Sequence, residues 1–316
     1  MARIEATGRY MPEKVVTNDE FSDGPLLFES VQEFFNGFKE RRHAGAEETG
    51  LVMAARAARD ALKSSQYEAK DIDLIVGAVL PNENLYGEDL NLLQHELGAT
   101  NASVLPINTT CSSFLSALNI ADSHISLGKK RCVLVVIATN WVNTVLNVEK
   151  PNYGFAGDGS AAVILDGMAD SLVDVHERNN STPAVFQSML MKSPVFTGNK
   201  EFFTITEPEG ISTAKDLVMA PIEVGRKLLG RNSDIQVDKI IMHQAGVKMM
   251  HLWAKKLGVS DDKIRHTLEL FANMTASNIP VTLDYWVKNG DIKRGETILF
   301  FSPAAGGHYI AMLWRY

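Results

Sequence analysis

The sequence predicts an α/β fold built from two duplicated βαβαβ halves. Three observations carry this expectation. Short apolar runs alternate along the chain with stretches of helical spacing. The segment Val237-Asp238-Lys239-Ile240-Ile241-Met242 resembles Ile72-Asp73-Leu74-Ile75-Val76-Gly77, 165 residues earlier. Each of these runs is followed by a helix that stops at a Leu-Gly pair, Leu97-Gly98 in one half and Leu257-Gly258 in the other.

Taken in order, residues 3–16 read as a first strand and turn, with Pro12 ending it. Residues 17–45 are polar and aromatic. Between 47 and 63, Leu51, Ala54, Ala55, Ala58 and Leu62 fall on one helical stripe. Ile72 to Leu80 is a buried strand, 88–97 a helix, and Val104 to Ile107 a short strand. Residues 112–127 form an Ala/Leu-rich helix that ends at Gly128. Cys132 to Ala138 is apolar without alternation, which suits a strand covered on both faces. Ala161 to Leu165 is a further strand. The second half repeats the order, with a small-residue helix at 274–288 and a closing strand from Thr297 to Phe301. The expected division is 1–170 for the N-terminal half, 171–215 for an insertion or connection, and 216–316 for the C-terminal half.

Composition narrows the function. The chain has 316 residues, 45% hydrophobic and 22% charged, which is ordinary for a globular protein and argues against bulk disorder. A net charge of −7 argues against nucleic acid as the main partner. Two cysteines leave no disulfide framework and no four-cysteine zinc site, and no metal is expected. The start, MARIEATGRYMPEK, lacks an apolar secretory core, and no 18-residue apolar run occurs, so a cytoplasmic protein without a membrane span is expected.

Three places carry residues suited to chemistry. Cys111, in Asn108-Thr109-Thr110-Cys111-Ser112-Ser113-Phe114, sits between a short strand and a helix. Unpaired N–H groups and partial positive charge at a helix start favour a thiolate, so the site suits a nucleophile; a buried small hydrophobe is the plain alternative. Cys132, mid-strand among valines and leucines, is expected to be inert. His243 leaves the carboxyl end of a strand, where α/β proteins gather catalytic groups, and histidine exchanges protons near neutral pH. Asn273 begins the stretch that matches the helix after Cys111, and as an N-cap it has a structural role that does not exclude a chemical one. Gly306-Gly307, after the last apolar strand, lets backbone N–H groups approach a ligand.

These segments resemble the β-ketoacyl-acyl-carrier-protein synthase III family of condensing enzymes, in the thiolase superfamily. The resemblance runs nearly end to end. It is carried by TTCSSF at 109–114, GFAGDGSAAVILD at 154–166, HQA at 243–245, AKKLG at 254–258, the Asn273 segment and AAGG at 304–307, with support from GRYMPEKVVTN at 8–18 and KERRHA at 39–44. It implies a five-layered α-β-α-β-α thiolase-like fold and a homodimer. It implies acyl transfer to Cys111, then decarboxylative condensation with a malonyl thioester held by His243 and Asn273. An oxyanion hole would come from Cys111 and the Ala305-Gly306 loop. The substrates would be acyl-CoA or acyl carrier protein thioesters, with no further cofactor. Lys150, Lys248, Lys255 and Lys256 would receive the carrier or coenzyme A; Tyr86, Phe155 and Ala156 would line the acyl pocket.

The chain departs from the family at several points. Pro303-Ala304-Ala305-Gly306 stands where an aromatic residue and three glycines are usual. Val31 and Phe35 stand near the place of an adenine-stacking Trp and Arg, and Gly246 replaces the Asn after HQA. These changes point to an acyl donor other than acetyl-CoA, in fatty acid or specialised metabolite biosynthesis. A non-decarboxylative acyltransferase on the same fold, acting on oxygen or nitrogen, and a non-catalytic partner subunit of a synthase are the alternatives.

Overall fold

Two five-stranded sheets of matching topology form the frame of this computed structural model, which describes residues 2–21, 36–84, 87–141, 154–169, 171–180, 190–191, 203–204 and 211–316. The first half comprises β1 (Arg3–Tyr10), β2 (Lys14–Thr17), β3 (Glu40–His43), α1 (Gly50–Lys63), β4 (Leu74–Leu80), α2 (Asp89–Leu97), β5 (Ser103–Pro106), α3 (Ser113–Ser126), β6 (Cys132–Thr139) and β7 (Gly159–Asp166). Then follow β8 (Leu172–Asn179), a two-residue ladder of β9 (Leu190–Met191) with β10 (Phe203–Thr204), α4 (Ile211–Arg231), β11 (Lys239–Met242), α5 (Val247–Leu257), β12 (Ile264–Arg265), α6 (Leu268–Phe271), α7 (Asn278–Lys288), β13 (Thr297–Ala304) and β14 (His308–Arg315).

The first sheet has the order β1-β7-β6-β4-β5 and the second β8-β14-β13-β11-β12. In both, the three strands at one edge run parallel and the other two pair antiparallel. β11 and β13 begin 165 residues after β4 and β6 respectively, so the duplicated cores carry no net insertion between those strands. The stretch 171–215, expected as an insertion or connection, opens with β8. β8 is the counterpart of β1 and the edge strand of the second sheet, so the second half begins at Leu172 by strand count. Its sequence, LVDVHERN, is half-exposed and charged at its end, and this hid it from apolar patterning. β14 was also absent from the expected elements.

The five layers follow from burial. α3 and α7 lie between the sheets, where Phe114, Leu118, Ile279 and Leu283 share one core with Val133, Val135, Phe300 and Met312. Phe114 meets Phe300 edge-to-face, with ring centroids 6.4 Å apart. α1 and α2 cover the outer face of the first sheet, and α4 and α5 that of the second. β6 is central and all eight of its residues are buried, as its unbroken apolar run predicts. Cys132 lies there, in the core. β1 and α1 approach so closely that a Cβ on Gly8 would lie 2.1 Å from the Ala61 nitrogen. No helix among the described residues is long and apolar enough to cross a membrane.

Candidate active site

Cys111 sits in a 3-10 turn, Thr110–Ser112, that precedes α3 rather than on the α-helix itself. Short polar side chains hold this turn. The Thr110 N–H donates to Asn108 Oδ1 at 3.0 Å, the Thr109 N–H donates to Ser113 Oγ at 3.0 Å, and Ser112 Oγ donates to the Thr109 carbonyl at 2.8 Å. Thr110 takes a left-handed backbone, φ 52°, which a β-branched residue rarely adopts. The loop after β13 closes over the turn. Thr110 Oγ1 donates to the Ala305 carbonyl at 2.9 Å, and Ser302 Oγ donates to the Cys111 carbonyl at 3.2 Å. Gly306 and Gly307, φ 81° and 82°, reverse the chain between β13 and β14.

Cys111 is half-buried. Its own backbone N–H and that of Ala305 lie on the side of the sulfur where they favour the thiolate. Burial nevertheless pushes its thiol up to about 11, with these contacts and the Thr110 hydroxyl pulling the other way. Desolvation and the turn's N–H groups thus act on this thiol in opposite directions.

His243 follows β11, its backbone N–H donating to the Phe301 carbonyl at 2.9 Å. The residue is buried, with the Thr275 carbonyl near its ring, and Nδ1 faces the Asn278 amide at 3.4 Å, which leaves the one ring proton on Nε2. Burial lowers its pKa to about 4. It is thus a neutral imidazole at physiological pH, not the group poised near 7 that residue type alone suggests. Gln244 anchors the peptide behind it, accepting from the Thr267 N–H at 2.9 Å and donating to Thr282 Oγ1.

Asn273 is buried on a short parallel bridge with Ala156. Its N–H donates to the Phe155 carbonyl at 2.9 Å, and its carbonyl accepts from the Gly157 N–H at 3.1 Å. Its Oδ1 accepts twice, from the Thr275 N–H at 2.8 Å and from Asn278 Nδ2 at 2.9 Å. This use of the oxygen aims Nδ2 elsewhere as a donor. The asparagine does hold a turn, Thr275–Ser277, but α7 begins later, at Asn278. Asn278 Nδ2 also lies 3.4 Å from His243 Nδ1, so one amide links His243 to Asn273. Sequence reasoning missed Asn278. Its signal was present: Asn273-Met274-Thr275-Ala276-Ser277-Asn278 repeats Asn108-Thr109-Thr110-Cys111-Ser112-Ser113 at the same spacing of 165.

The fold packs the Cys111 turn against the Thr275–Ser277 turn and against β13. Cys111, Ala305, His243 and Asn273 are thereby gathered where the two halves meet, with Phe155 and Ala156 behind Asn273. Lys248 is exposed on the first turn of α5, its N–H facing Asn36 Oδ1 at 3.5 Å. Lys255 and Lys256 are exposed in the last turn of α5, at the opposite end from Lys248. The structure does not bring these three lysines together. Tyr86, Lys150, Val31 and Phe35 lie outside the described residues. Among the described residues no group of three or more His, Cys, Asp or Glu is placed to hold a metal ion.

Two family models match the chain: 3-oxoacyl-[acyl-carrier-protein (ACP)] synthase III over residues 105–181, and the C-terminal model of the same synthase over residues 231–316. Between them they span the cysteine turn, His243, Asn273 and the 304–307 loop. The chain belongs to the 3-oxoacyl-[acyl-carrier-protein] synthase III family. It is similar to the β-ketoacyl-[acyl-carrier-protein] synthase III of Aquifex aeolicus (strain VF5), 29% identical with 99% of each chain covered. It is 28% identical to the corresponding protein of Clostridium novyi (strain NT), over 96% of this chain and 95% of that one. The crystal structure of the Aquifex aeolicus VF5 synthase III superposes with a TM-score of 0.87 at 28% identity, covering all of both chains. The fold is shared with the priming β-ketosynthase of the R1128 polyketide pathway, TM-score 0.87 at 23% identity, covering 100% of this chain and 96% of that one. The family is thus that of a thiolase-superfamily condensing enzyme, and the five-layered architecture is that of its solved members.

Proposed function

We propose that this chain catalyses a decarboxylative Claisen condensation, with Cys111 carrying the acyl group and His243 and Asn273 activating a malonyl thioester. The observation that supports this most is the bridging of His243 and Asn273 by Asn278, beside a cysteine turn that two hydrogen bonds tie to the Ala305 loop.

In the first half-reaction the Cys111 sulfur attacks the acyl thioester. A new S–C bond forms, the donor C–S bond breaks, and the cysteine proton ends on the leaving thiol. The Cys111 and Ala305 N–H groups stabilise the tetrahedral oxyanion; Gly306 supplies the turn that presents Ala305. In the second, a neutral His243 and the Asn273 amide donate to the malonyl thioester carbonyl. The C–CO2 bond breaks, CO2 leaves, and the electron pair rests on that oxygen as an enolate. The enolate carbon attacks the acyl-Cys111 carbonyl, the C–C bond forms, the S–C bond breaks, and the departing Cys111 thiolate takes up a proton from solvent. Dividing the transfer into two steps is covalent catalysis with ping-pong kinetics.

The donor in this proposal is an acyl group other than acetyl, presented on coenzyme A or an acyl carrier protein. Ala156, where the family often has a bulky aromatic, supports a reshaped pocket with Phe155 and, from a partner subunit, Tyr86. Lys248, at the helix end near Asn36, is the favoured contact for the carrier or coenzyme, with Lys150 as a second cation for the same role; Lys255 and Lys256 belong to a separate patch. A cytoplasmic homodimer is part of the same reading, and the edge position of β5 with its half-exposed Leu105 is consistent with sheet pairing between subunits.

Intact-mass analysis after exposure to a panel of acyl thioesters, followed by malonyl thioester with CO2 detection, tests the proposal. Acyl mass on the protein with CO2 release on malonyl addition supports it. Acyl mass with transfer to an oxygen or nitrogen acceptor and no CO2 release would favour the acyltransferase alternative.

A further inference from the structure

Three cross-links join the Cys111 turn to the loop that carries Ala305. Two use side chains already named: Thr110 to the Ala305 carbonyl and Ser302 to the Cys111 carbonyl. The third joins Ser112 Oγ to His308 Nδ1 at 2.6 Å, 196 residues apart in sequence. Ser112 directly follows the nucleophile, and His308 stands three residues after Ala305, as the first residue of β14.

The Ser112 hydroxyl has one hydrogen and two neighbours, His308 Nδ1 at 2.6 Å and the Thr109 carbonyl at 2.8 Å. The Thr109 carbonyl also accepts the Ser112 N–H at 3.3 Å, so it is satisfied whichever way the Ser112–His308 bond runs. On the other side of the ring, Nε2 lies 3.6 Å from the Glu177 carboxylate of β8. The ring is held between the outer strand of the second sheet and the nucleophile turn. Ser112 is fully buried and already donates inward, so it is not itself a second nucleophile.

The other half of the molecule supplies an internal control. Ser277, the counterpart of Ser112, donates to the Gly159 carbonyl at 3.0 Å, and Gly159 is the first residue of β7 as His308 is of β14. The half without a nucleophile uses a backbone carbonyl there. The half with the nucleophile uses an imidazole.

We infer that His308 is a positioning residue for Cys111: by its hydrogen bond to Ser112 it staples the Cys111 turn to the loop that carries Ala305, and so holds the Cys111 and Ala305 N–H groups toward the oxyanion that forms beside the sulfur. The two donors belong to separate segments of chain, and their convergence requires a link between those segments. This inference rests on Cys111 being the nucleophile of the proposed reaction.

The test reads the thiol directly, by the rate of Cys111 alkylation with iodoacetamide, mapped by peptide mass with buried Cys132 as the internal reference. Acyl-mass gain from the thioester panel is measured in parallel. His308→Phe removes the hydrogen bond and is expected to slow alkylation about tenfold, the scale of one lost hydrogen bond. His308→Asn keeps a hydrogen-bonding amide near the place of Nδ1 and recovers most of the rate, which a merely space-filling role for the ring would not predict. Ser112→Ala loses as much as His308→Phe, and the double variant loses no more than either single one. Wild-type alkylation in His308→Phe overturns the inference, as do losses that multiply in the double variant or the absence of recovery in His308→Asn. Should His308→Phe fold poorly, the comparison of His308→Asn with Ser112→Ala and wild type decides by the same criteria. If the wild type takes no acyl mass from any donor while alkylation behaves as stated, the proposed reaction fails and the His308 contact stands.

Discussion

Thr110 and Thr275 occupy equivalent positions in the two halves and share a left-handed backbone, φ 52° and 49°. Each threonine N–H donates to the side-chain oxygen of an asparagine two residues earlier, Asn108 at 3.0 Å and Asn273 at 2.8 Å. Each opens a 3-10 turn that leads into a central helix. The duplicated fold thus brings two copies of one strained turn face to face. In one copy the next residue is Cys111; in the other it is Ala276, and the asparagine before the turn becomes the candidate donor. Strain of this kind costs about 1–3 kcal/mol per residue and persists where surrounding contacts over-determine it.

Cys111→Ala is expected to abolish acyl-mass gain from every thioester donor, and Cys132→Ala to leave it intact. Intact-mass spectrometry checks both. Acyl mass retained by Cys111→Ala would move the nucleophile elsewhere.

Asn273→Ala is expected to spare acylation while lowering malonyl decarboxylation about 100-fold or more, the scale for one oxyanion donor. His243→Ala should cost at least as much. Equal loss of both half-reactions in Asn273→Ala would make it a structural cap and no more. Separate assays of acyl transfer and CO2 release distinguish the cases.

Asn278→Ala removes the amide that touches both His243 and Asn273. The expected result is a fall in decarboxylation approaching that of Asn273→Ala, with acylation within a few-fold of wild type. If CO2 release is unchanged, the alignment of the two donors does not depend on this bridge.

Acid sensitivity follows from two buried histidines. Burial lowers the pKa values of His243 and His43 to about 4 each. The unfolded chain binds these protons below about pH 6.5, and the folded chain does not until about pH 4. Their contribution is fully present above pH 6.5 and is lost as pH falls toward 4, at about 1.4 kcal/mol per pH unit for each histidine. Urea midpoints measured at pH 7.5, 6 and 5 should therefore decline, and His43→Gln should flatten the decline. A constant midpoint from pH 7.5 to 5 would contradict the buried neutral state of both rings.

The alternation of elements, the duplication and its spacing, and the residue types at Cys111, His243 and Asn273 are legible in the amino-acid sequence. Apolar period and helix stops are local properties, readable within a dozen positions, and comparing two such stretches reveals the repeat. What those residues experience depends on how distant segments pack around them. Desolvation raises the Cys111 thiol and keeps His243 neutral, because neighbours from distant segments exclude water that the local sequence would admit. The membership of β8 in the second sheet was decided by its pairing with β14, since its own half-exposed residues carry little periodic signal. The Asn278 bridge and the contact of His308 with Ser112 were decided in the same way. A hydrogen bond between residues 196 positions apart is a property of how two halves pack, and no local pattern encodes it.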